Sequence, residues 1–313
     1  MTSADPPFTV RAASSRPTGR SAGADPDTVH LALPKGRMEQ GVRALLAAAG
    51  IGVATDDRAY RPRLSVDGFE TKLLKPQNIV VMLAEGSRDL GFAGADWVAE
   101  RDVELVELLD TELDPVRIVA AAPVALVDRG SLRPPPGRPL VVASEYERLT
   151  RAWIGTRVPD AHFVRSHGAT EVFPPEDADA IVDNSASGAT LRANGLVVLE
   201  ELMRSSTRLY ANPRALEEPG KRRAIDNLVL CLRAVLEARR RAMVELNVSA
   251  ADLPRVVDRL PCMREPTIAP LHGGAGYAVR AAVPRDGLPR LVPELKAHGA
   301  TDIVVSSCEQ IVP

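Results

Sequence analysis

The sequence predicts an α/β protein of two lobes followed by a small βαββαβ domain, and three observations carry that prediction. Short apolar runs alternate with segments of helical period through the first two-thirds of the chain. Glycine- or proline-rich turns punctuate those runs. From residue 243 onward the pattern becomes strand, helix, strand, hairpin, strand, helix, strand.

Taken in order, residues 30–33 read as a buried strand and Pro34-Lys35-Gly36-Arg37 as a turn. Residues 38–49 have helical period with Leu45 and Leu46 inward, and Gly50 ends that helix. A helix is expected at 78–85 and a strand at 89–93. Residues 118–122 read as a strand, Pro134-Pro135-Pro136-Gly137 as a stiff loop, 140–143 as a strand and 146–154 as a helix. A strand at 179–182 enters a turn of small residues, and 196–202 and 207–211 carry the chain back toward the first lobe. Residues 226–242 read as a helix made basic by Arg239, Arg240 and Arg241. The remainder reads as strand 243–248, helix 251–260, strand 267–271, a hairpin at Gly273-Gly274, strand 277–283, helix 288–298 and strand 302–305. That order is ferredoxin-like, and the domain offers no obvious catalytic residue, which suits regulation or assembly. The expected division is a disordered tail at 1–27, lobe I at 28–120 with 207–220, lobe II at 121–206, and the C-terminal domain at 221–313.

Composition fits a soluble cytoplasmic enzyme. The chain has 313 residues, 45% of them apolar, enough to fill two or three cores. A net charge of −2 gives no global electrostatic case for nucleic acid or a membrane. Cys231, Cys262 and Cys308 are widely spaced, with neither metal spacing nor a disulfide framework. The first 27 residues lack the apolar core of a secretory signal, and no apolar run could span a bilayer. The five histidines are scattered, and only His167 lies near the candidate site; Trp97 and Trp153 read as core residues.

The chemistry concentrates in the stretch from Ala178 to Leu191. An apolar strand runs into Asp183, and Asn184, Ser185, Ala186, Ser187, Gly188, Ala189 and Thr190 follow. Small side chains let backbone N–H groups approach an anion, and Ser185, Ser187 and Thr190 add hydroxyl donors. An acidic residue beside such a cradle can accept bonds from sugar hydroxyls, so the parts suit a ribose 5-phosphate. An ordinary capped strand-to-helix turn would look much the same.

The stretch also resembles the phosphoribosyl-diphosphate loop of the ATP phosphoribosyltransferases, Ala-Asp-Ala-Ile-x-Asp-x-Val-x-(Ser/Thr)-Gly-x-Thr-Leu-x-Ala-Asn-Gly-Leu. Asn184 and Ser185 depart from it, replacing apolar residues. Three further blocks agree: Leu31-Ala-Leu-Pro-Lys-Gly-Arg-Met38, Asp89-Leu-Gly-Phe-Ala-Gly-Ala-Asp96, and Arg264-Glu-Pro-Thr-Ile-Ala-Pro-Leu271, the last in the C-terminal domain of the family's long form. The resemblance implies a periplasmic-binding-protein-like two-lobed core. It also implies attack of N1 of ATP's adenine on C1 of phosphoribosyl diphosphate, with pyrophosphate leaving and Mg²⁺ bridging its oxygens.

By that resemblance Lys35, Arg37, Glu171 and Asp183 are catalytic candidates, and residues 183–190 bind phosphoribosyl diphosphate. Lys35, Gly36, Lys75, Gly94 and Asp96 are placed at ATP. From the residues alone, Lys35 and Arg37 also read as solvated loop charge, Glu171 as a surface carboxylate and Asp96 as a helix cap. Lys75 and Asn78 stand where the family usually has Arg and Asp. The long form implies dimers and hexamers that need no histidyl-tRNA-synthetase-like subunit. Long-form relatives bind histidine around positions matching Asn247, Met263, Thr267, Ala282 and Asp302. The charge of Asp302 and the small Ala282 imply weak or no inhibition here. Other readings are a paralogue running the same reaction for coformycin- or pentostatin-type nucleoside antibiotics, a solute-binding module, and a non-catalytic regulatory homologue.

Overall fold

The computed structural model describes residues 26–54 and 60–312. The expected tail therefore lies outside the described residues, except for its last two.

The first strand, β1 (Val29–Pro34), is buried apart from Thr28 before it and His30 within it. The chain then turns at Gly36, whose φ of 89° favours glycine, into α1 (Arg37–Ala48). Met38, Val42, Leu45 and Leu46 recur on one face of α1 and are buried. Next come β2 (Phe69–Leu74), α2 (Pro76–Ala84), β3 (Leu90–Gly94) and α3 (Ala95–Arg101). β1 runs parallel to both β2 and β3. The second half repeats the scheme with β5 (Val141–Ser144), α4 (Glu147–Arg157), β6 (His162–Arg165), β7 (Ala180–Ser185) and α5 (Ala189–Ala193), β5 being parallel to both β6 and β7.

Two long strands join the halves, β4 (Val106–Pro123) and β8 (Leu196–Ala211), paired antiparallel along their length. The result is one eight-stranded sheet in the order β6-β5-β7-β4-β8-β3-β1-β2. The sequence pattern showed only pieces of these strands. Register shifts interrupt β8 at five places, and Glu112 and Asp114 in β4 have positive φ. Each bulge resets the alternation of inward and outward side chains, so no single period runs through the strand. The expected lobe boundaries, 120/121 and 206/207, fall inside these two strands.

The helix expected at 226–242 is α6 (Pro219–Arg240), which starts earlier because Pro219 occupies its first turn. It ends earlier because Arg241 is already extended. Its apolar face, with Ile225, Leu228 and Leu232, packs into the core of the first half beside Leu45, Leu46 and Phe92. The C-terminal unit expected from residue 221 thus begins with a helix that belongs to the core of lobe I. The sheet of that unit is antiparallel: β9 (Arg241–Val248), β10 (Thr267–Pro270), β11 (Tyr277–Pro284) and β12 (Thr301–Ser306), in the order β10-β11-β9-β12. α7 (Leu253–Val257) and α8 (Leu288–Ala297) cover one face over Val244, Leu246, Val279 and Val283, giving the ferredoxin-like fold.

One buried ion pair fixes α6 to the sheet. Lys221, 1% exposed, donates to Asp89 at 3.0 Å and to Glu218 at 3.1 Å. The same Asp89 accepts from the His30 backbone N–H at 2.8 Å. Burial pushes the Asp89 pKa up, but the bonds from His30 and Lys221 outweigh it and hold the carboxyl below its ordinary value. Replacing Lys221 with Met leaves Asp89 buried with only the contacts of His30. Chemical denaturation is expected to show a loss of about 3 kcal/mol; an unchanged midpoint would mean the pair is not what seats the helix.

Candidate active site

Two cavities meet at the seam between the halves of the sheet. The first, about 200 Å³, lies between the α1, α2 and α3 ends of one half and Glu145 and Tyr146 of the other. The second, about 320 Å³, is formed by residues 168–171 and the 183–191 loop. Arg37, Glu145 and Asn184 border both.

The seam is held by a buried carboxylate. Asp96, 5% exposed, accepts from the Ser205 hydroxyl at 2.6 Å and from the Tyr146 phenol at 2.7 Å. Its own N–H donates to Ser205 Oγ at 3.0 Å. Asp96 was open to a helix-cap reading, but the N-cap position of α3 is Gly94 and Asp96 makes no cap bond. Its side chain instead folds back so tightly that a Cβ on Gly94 would lie 2.1 Å from Asp96 Oδ1, which leaves only glycine at 94. The Tyr146 ring stacks on Trp97 with centroids 4.7 Å apart. Burial first, then the charge of Asp96, raises the Tyr146 pKa and keeps the phenol protonated. Beside this contact, the Glu100 carboxylate of α3 accepts from the N–H groups of Arg148 at 3.0 Å and Leu149 at 3.1 Å. It therefore caps α4 across the seam.

The 183–190 loop stands as a cradle. Gly188 has a φ of 73°, and Arg192 reaches back to the Ser187 carbonyl at 3.2 Å. Ala186, Ser187, Ala189 and Thr190 are exposed toward the second cavity, while Ser185 and Gly188 are buried. Asp183 accepts from the Asn184 backbone N–H at 2.7 Å and from its side-chain amide at 3.1 Å. Burial, followed by the charges of Glu171 and Glu145, outweighs that bonding and pushes the Asp183 pKa up to about 6.

Glu171 lines the same cavity. Lys35 lines the first cavity and sits 4.6 Å from the centre of the Tyr60 ring. Arg37 is exposed where the cavities join and has no carboxylate partner among the described residues. Gly36 supplies the turn that presents both bases. Lys75 is not brought to the site: it is exposed at the start of α2, and Pro76 and Gln77 line the cavity instead. Sequence reasoning missed Glu145, Tyr146, Glu100, Gln77 and Ser205, and read Trp97 as core only. Tyr146, an aromatic residue directly before a helix that follows a buried strand, was the nearest signal for that end of the seam.

The histidine-site candidates divide. Met263, Thr267 and Ala282 line a cavity of about 490 Å³ in the C-terminal domain. Asn247 and Asp302 lie apart from its lining and bond to each other, amide to carboxylate, at 3.0 Å. Asp302 also accepts from Thr301, and these bonds hold its carboxyl below the ordinary range.

The two-lobed α/β core thus sets a loop of small residues on one side of a seam and the cationic Lys35 and Arg37 on the other, the arrangement of an enzyme cleft between lobes. The profile of the ATP phosphoribosyltransferase family matches residues 75–234, and that of the family's C-terminal domain matches residues 238–310. The chain is 33% identical over 282 residues to the ATP phosphoribosyltransferase of Chlorobaculum parvum, covering 88% of this chain and 95% of that protein. It is 34% identical over 289 residues to that of Koribacter versatilis, covering 91% and 99%. A solved ATP phosphoribosyl transferase (HisG:HisZ) complex from Thermotoga maritima shares the fold, with a TM-score of 0.59 at 24% identity over 67% of this chain and 99% of that one. The chain belongs to the ATP phosphoribosyltransferase family in its long form, an enzyme of the pentosyltransferase class in histidine biosynthesis.

Replacing Gly188 with Val puts a β-branched residue at a φ of 73° and a Cβ 2.9 Å from Arg192 Nη1. Titration calorimetry is expected to show phosphoribosyl-diphosphate affinity falling about tenfold or more, with the circular dichroism unchanged. Full affinity in that variant would show that the loop is only a turn.

Proposed function

We propose that the two cavities are the two substrate subsites of the family's reaction, ATP in the first and phosphoribosyl diphosphate in the second. The observation that carries this reading is their shared wall of Arg37, Glu145 and Asn184. A bond between two substrates has to form where their sites touch.

The N1 lone pair of adenine attacks C1 of the ribose, and the bond from C1 to the pyrophosphate oxygen breaks with its electron pair leaving on pyrophosphate. The nucleophile is a ring lone pair, so no strong base is needed. The 183–190 loop holds the 5-phosphate through hydroxyls and backbone N–H groups. Asp183 accepts from the ribose hydroxyls, and Glu171 faces the same sugar. Arg37 and Lys35 neutralise the two polyphosphates and stabilise the charge that builds on pyrophosphate. Gly94 takes part only from the edge, by leaving room for Asp96, and Lys75 lines neither cavity.

Mg²⁺ fits this donor set. Among the described residues no group of three or more His, Cys, Asp or Glu could hold a metal alone. Asp183, Glu171 and Glu145 nevertheless supply hard oxygen ligands beside the cradle, and Mg²⁺ is commonly held by one or two carboxylates plus substrate phosphates. When bound, the ion supplies charge neutralisation of the leaving pyrophosphate.

The protein works as a homo-oligomer, a dimer or hexamer, without a second kind of subunit; the C-terminal domain supports this reading. Histidine inhibits weakly or not at all, because Asp302 occupies the Asn247 amide and adds a charge that repels a carboxylate. Among the described residues no helix is long and apolar enough to cross a membrane.

The test is pyrophosphate release by the purified chain alone, given ATP, phosphoribosyl diphosphate and Mg²⁺. Release is expected without any added subunit and unchanged by micromolar histidine. Asp183 must be ionised to accept from both the amide and the sugar, so the KM for phosphoribosyl diphosphate is expected to fall as pH rises through about 6. The sign is opposite for stability: a carboxyl raised by burial destabilises the free fold progressively as pH rises through that range. No release by the pure chain, or activity restored only by a synthetase-like subunit, would contradict the reading.

A further inference from the structure

We propose that Asn184 determines base specificity, its side-chain carbonyl accepting a hydrogen from the exocyclic 6-amino group of the adenine being ribosylated. The inference rests on the reading that the two cavities hold ATP and phosphoribosyl diphosphate. It goes further by assigning the atom that recognises the base.

The orientation of the amide follows from a chain of hydrogen-bond polarity. Both Asp96 carboxylate oxygens act as acceptors here. They take the hydrogen of Ser205 at 2.6 Å and that of Tyr146 at 2.7 Å. A phenol has one hydrogen, so toward Asn184, 3.5 Å away, Tyr146 Oη has only lone pairs to offer. The other neighbour, Asp183 Oδ1 at 3.1 Å, is a carboxylate oxygen. Both contacts demand N–H, so both are made by Asn184 Nδ2, and flipping the amide would set oxygen against oxygen twice. The Oδ1 atom is left over, and among the described residues no donor reaches it. Asn184 is half-buried and borders both cavities, so this unused acceptor belongs to the place where they join.

The substrate chemistry calls for an acceptor there. N1 has to reach C1 at the junction, and the 6-amino group is attached to the carbon next to N1. As the N1–C1 bond forms, positive charge spreads over N1, C6 and the 6-amino nitrogen. The amino hydrogens become better donors, so a carbonyl bonded to one of them binds the transition state more tightly than the ground state. An apolar residue, the usual occupant of this position in the family, has no such acceptor.

The test compares ATP with purine riboside 5′-triphosphate, which keeps the N1 lone pair and lacks the 6-amino group. The ratio of the two kcat/KM values is measured in the wild-type enzyme and in Asn184→Leu. The intrinsic difference between the nucleophiles cancels between the two proteins. The ratio is expected to fall about tenfold or more in Asn184→Leu, because ATP loses its partner and the analogue has none to lose. If that variant does not fold, Asn184→Ala, which only truncates the amide, carries the same comparison. An unchanged ratio would overturn the proposal. So would an effect confined to the KM for phosphoribosyl diphosphate, which would assign the acceptor to a ribose hydroxyl. A wild-type enzyme that releases no pyrophosphate from phosphoribosyl diphosphate when given ATP would instead refute the functional reading beneath it.

Discussion

The site depends on the bonding of one buried carboxylate. Asp96 sits at the start of α3 with 5% of its surface exposed, where an unsatisfied charge would cost several kcal/mol. Both its oxygens must find donors, and both do so across the seam, Ser205 from the returning strand β8 and Tyr146 from the start of α4. The cost of leaving either bond unmade fixes how the two halves of the sheet meet. Glu100 adds a second tie by capping α4 from α3. The cavities on either side of the seam inherit their spacing from these contacts, and the orientation of the Asn184 amide follows from the same carboxylate.

The long strands β4 and β8 make such a seam possible. They run through both halves, so the halves share one sheet, while the bulges in β8 let each half keep its own twist. The first half is braced from behind by α6, seated through Lys221 and Asp89, and α6 leads straight into the first strand of the C-terminal sheet. α6 thus links that domain to the core of lobe I, and Gln310, which donates to the Ala48 carbonyl at 3.1 Å, adds a second tie.

What was legible in the sequence was what is local. Residues 183–190 are contiguous, so the cradle, its glycine and its acidic neighbour could be read from spacing, as could the Gly36 turn that carries Lys35 and Arg37. The ferredoxin-like order was legible because its strands are separated by plain turn and helix signals, and β9 alternates cleanly between buried and part-buried residues. The seam was not. Asp96 and Ser205 are 109 residues apart and Asp96 and Tyr146 are 50 apart, so the local cap rule was the only one the sequence offered for Asp96. Lys75 was displaced by Gln77 because a cap residue and a residue in the first turn of a helix point in different directions, which sequence spacing does not resolve. The long strands were hidden by bulges and by the acidic run in β4, where Glu107, Asp110, Glu112 and Asp114 break the apolar alternation.

The central claim, that the Asp96 carboxylate orients the ATP side of the seam, is tested most directly with Asp96→Asn. The substitution keeps size and shape but turns one acceptor oxygen into an N–H donor, so one of the two hydroxyls must reverse. The measurement pairs kcat/KM for ATP with the Kd for phosphoribosyl diphosphate. The account requires the first to fall by about a hundredfold and the second to stay within about threefold, since the cradle makes no contact with Asp96. Equal losses in both, or an unaffected ATP term, would contradict it.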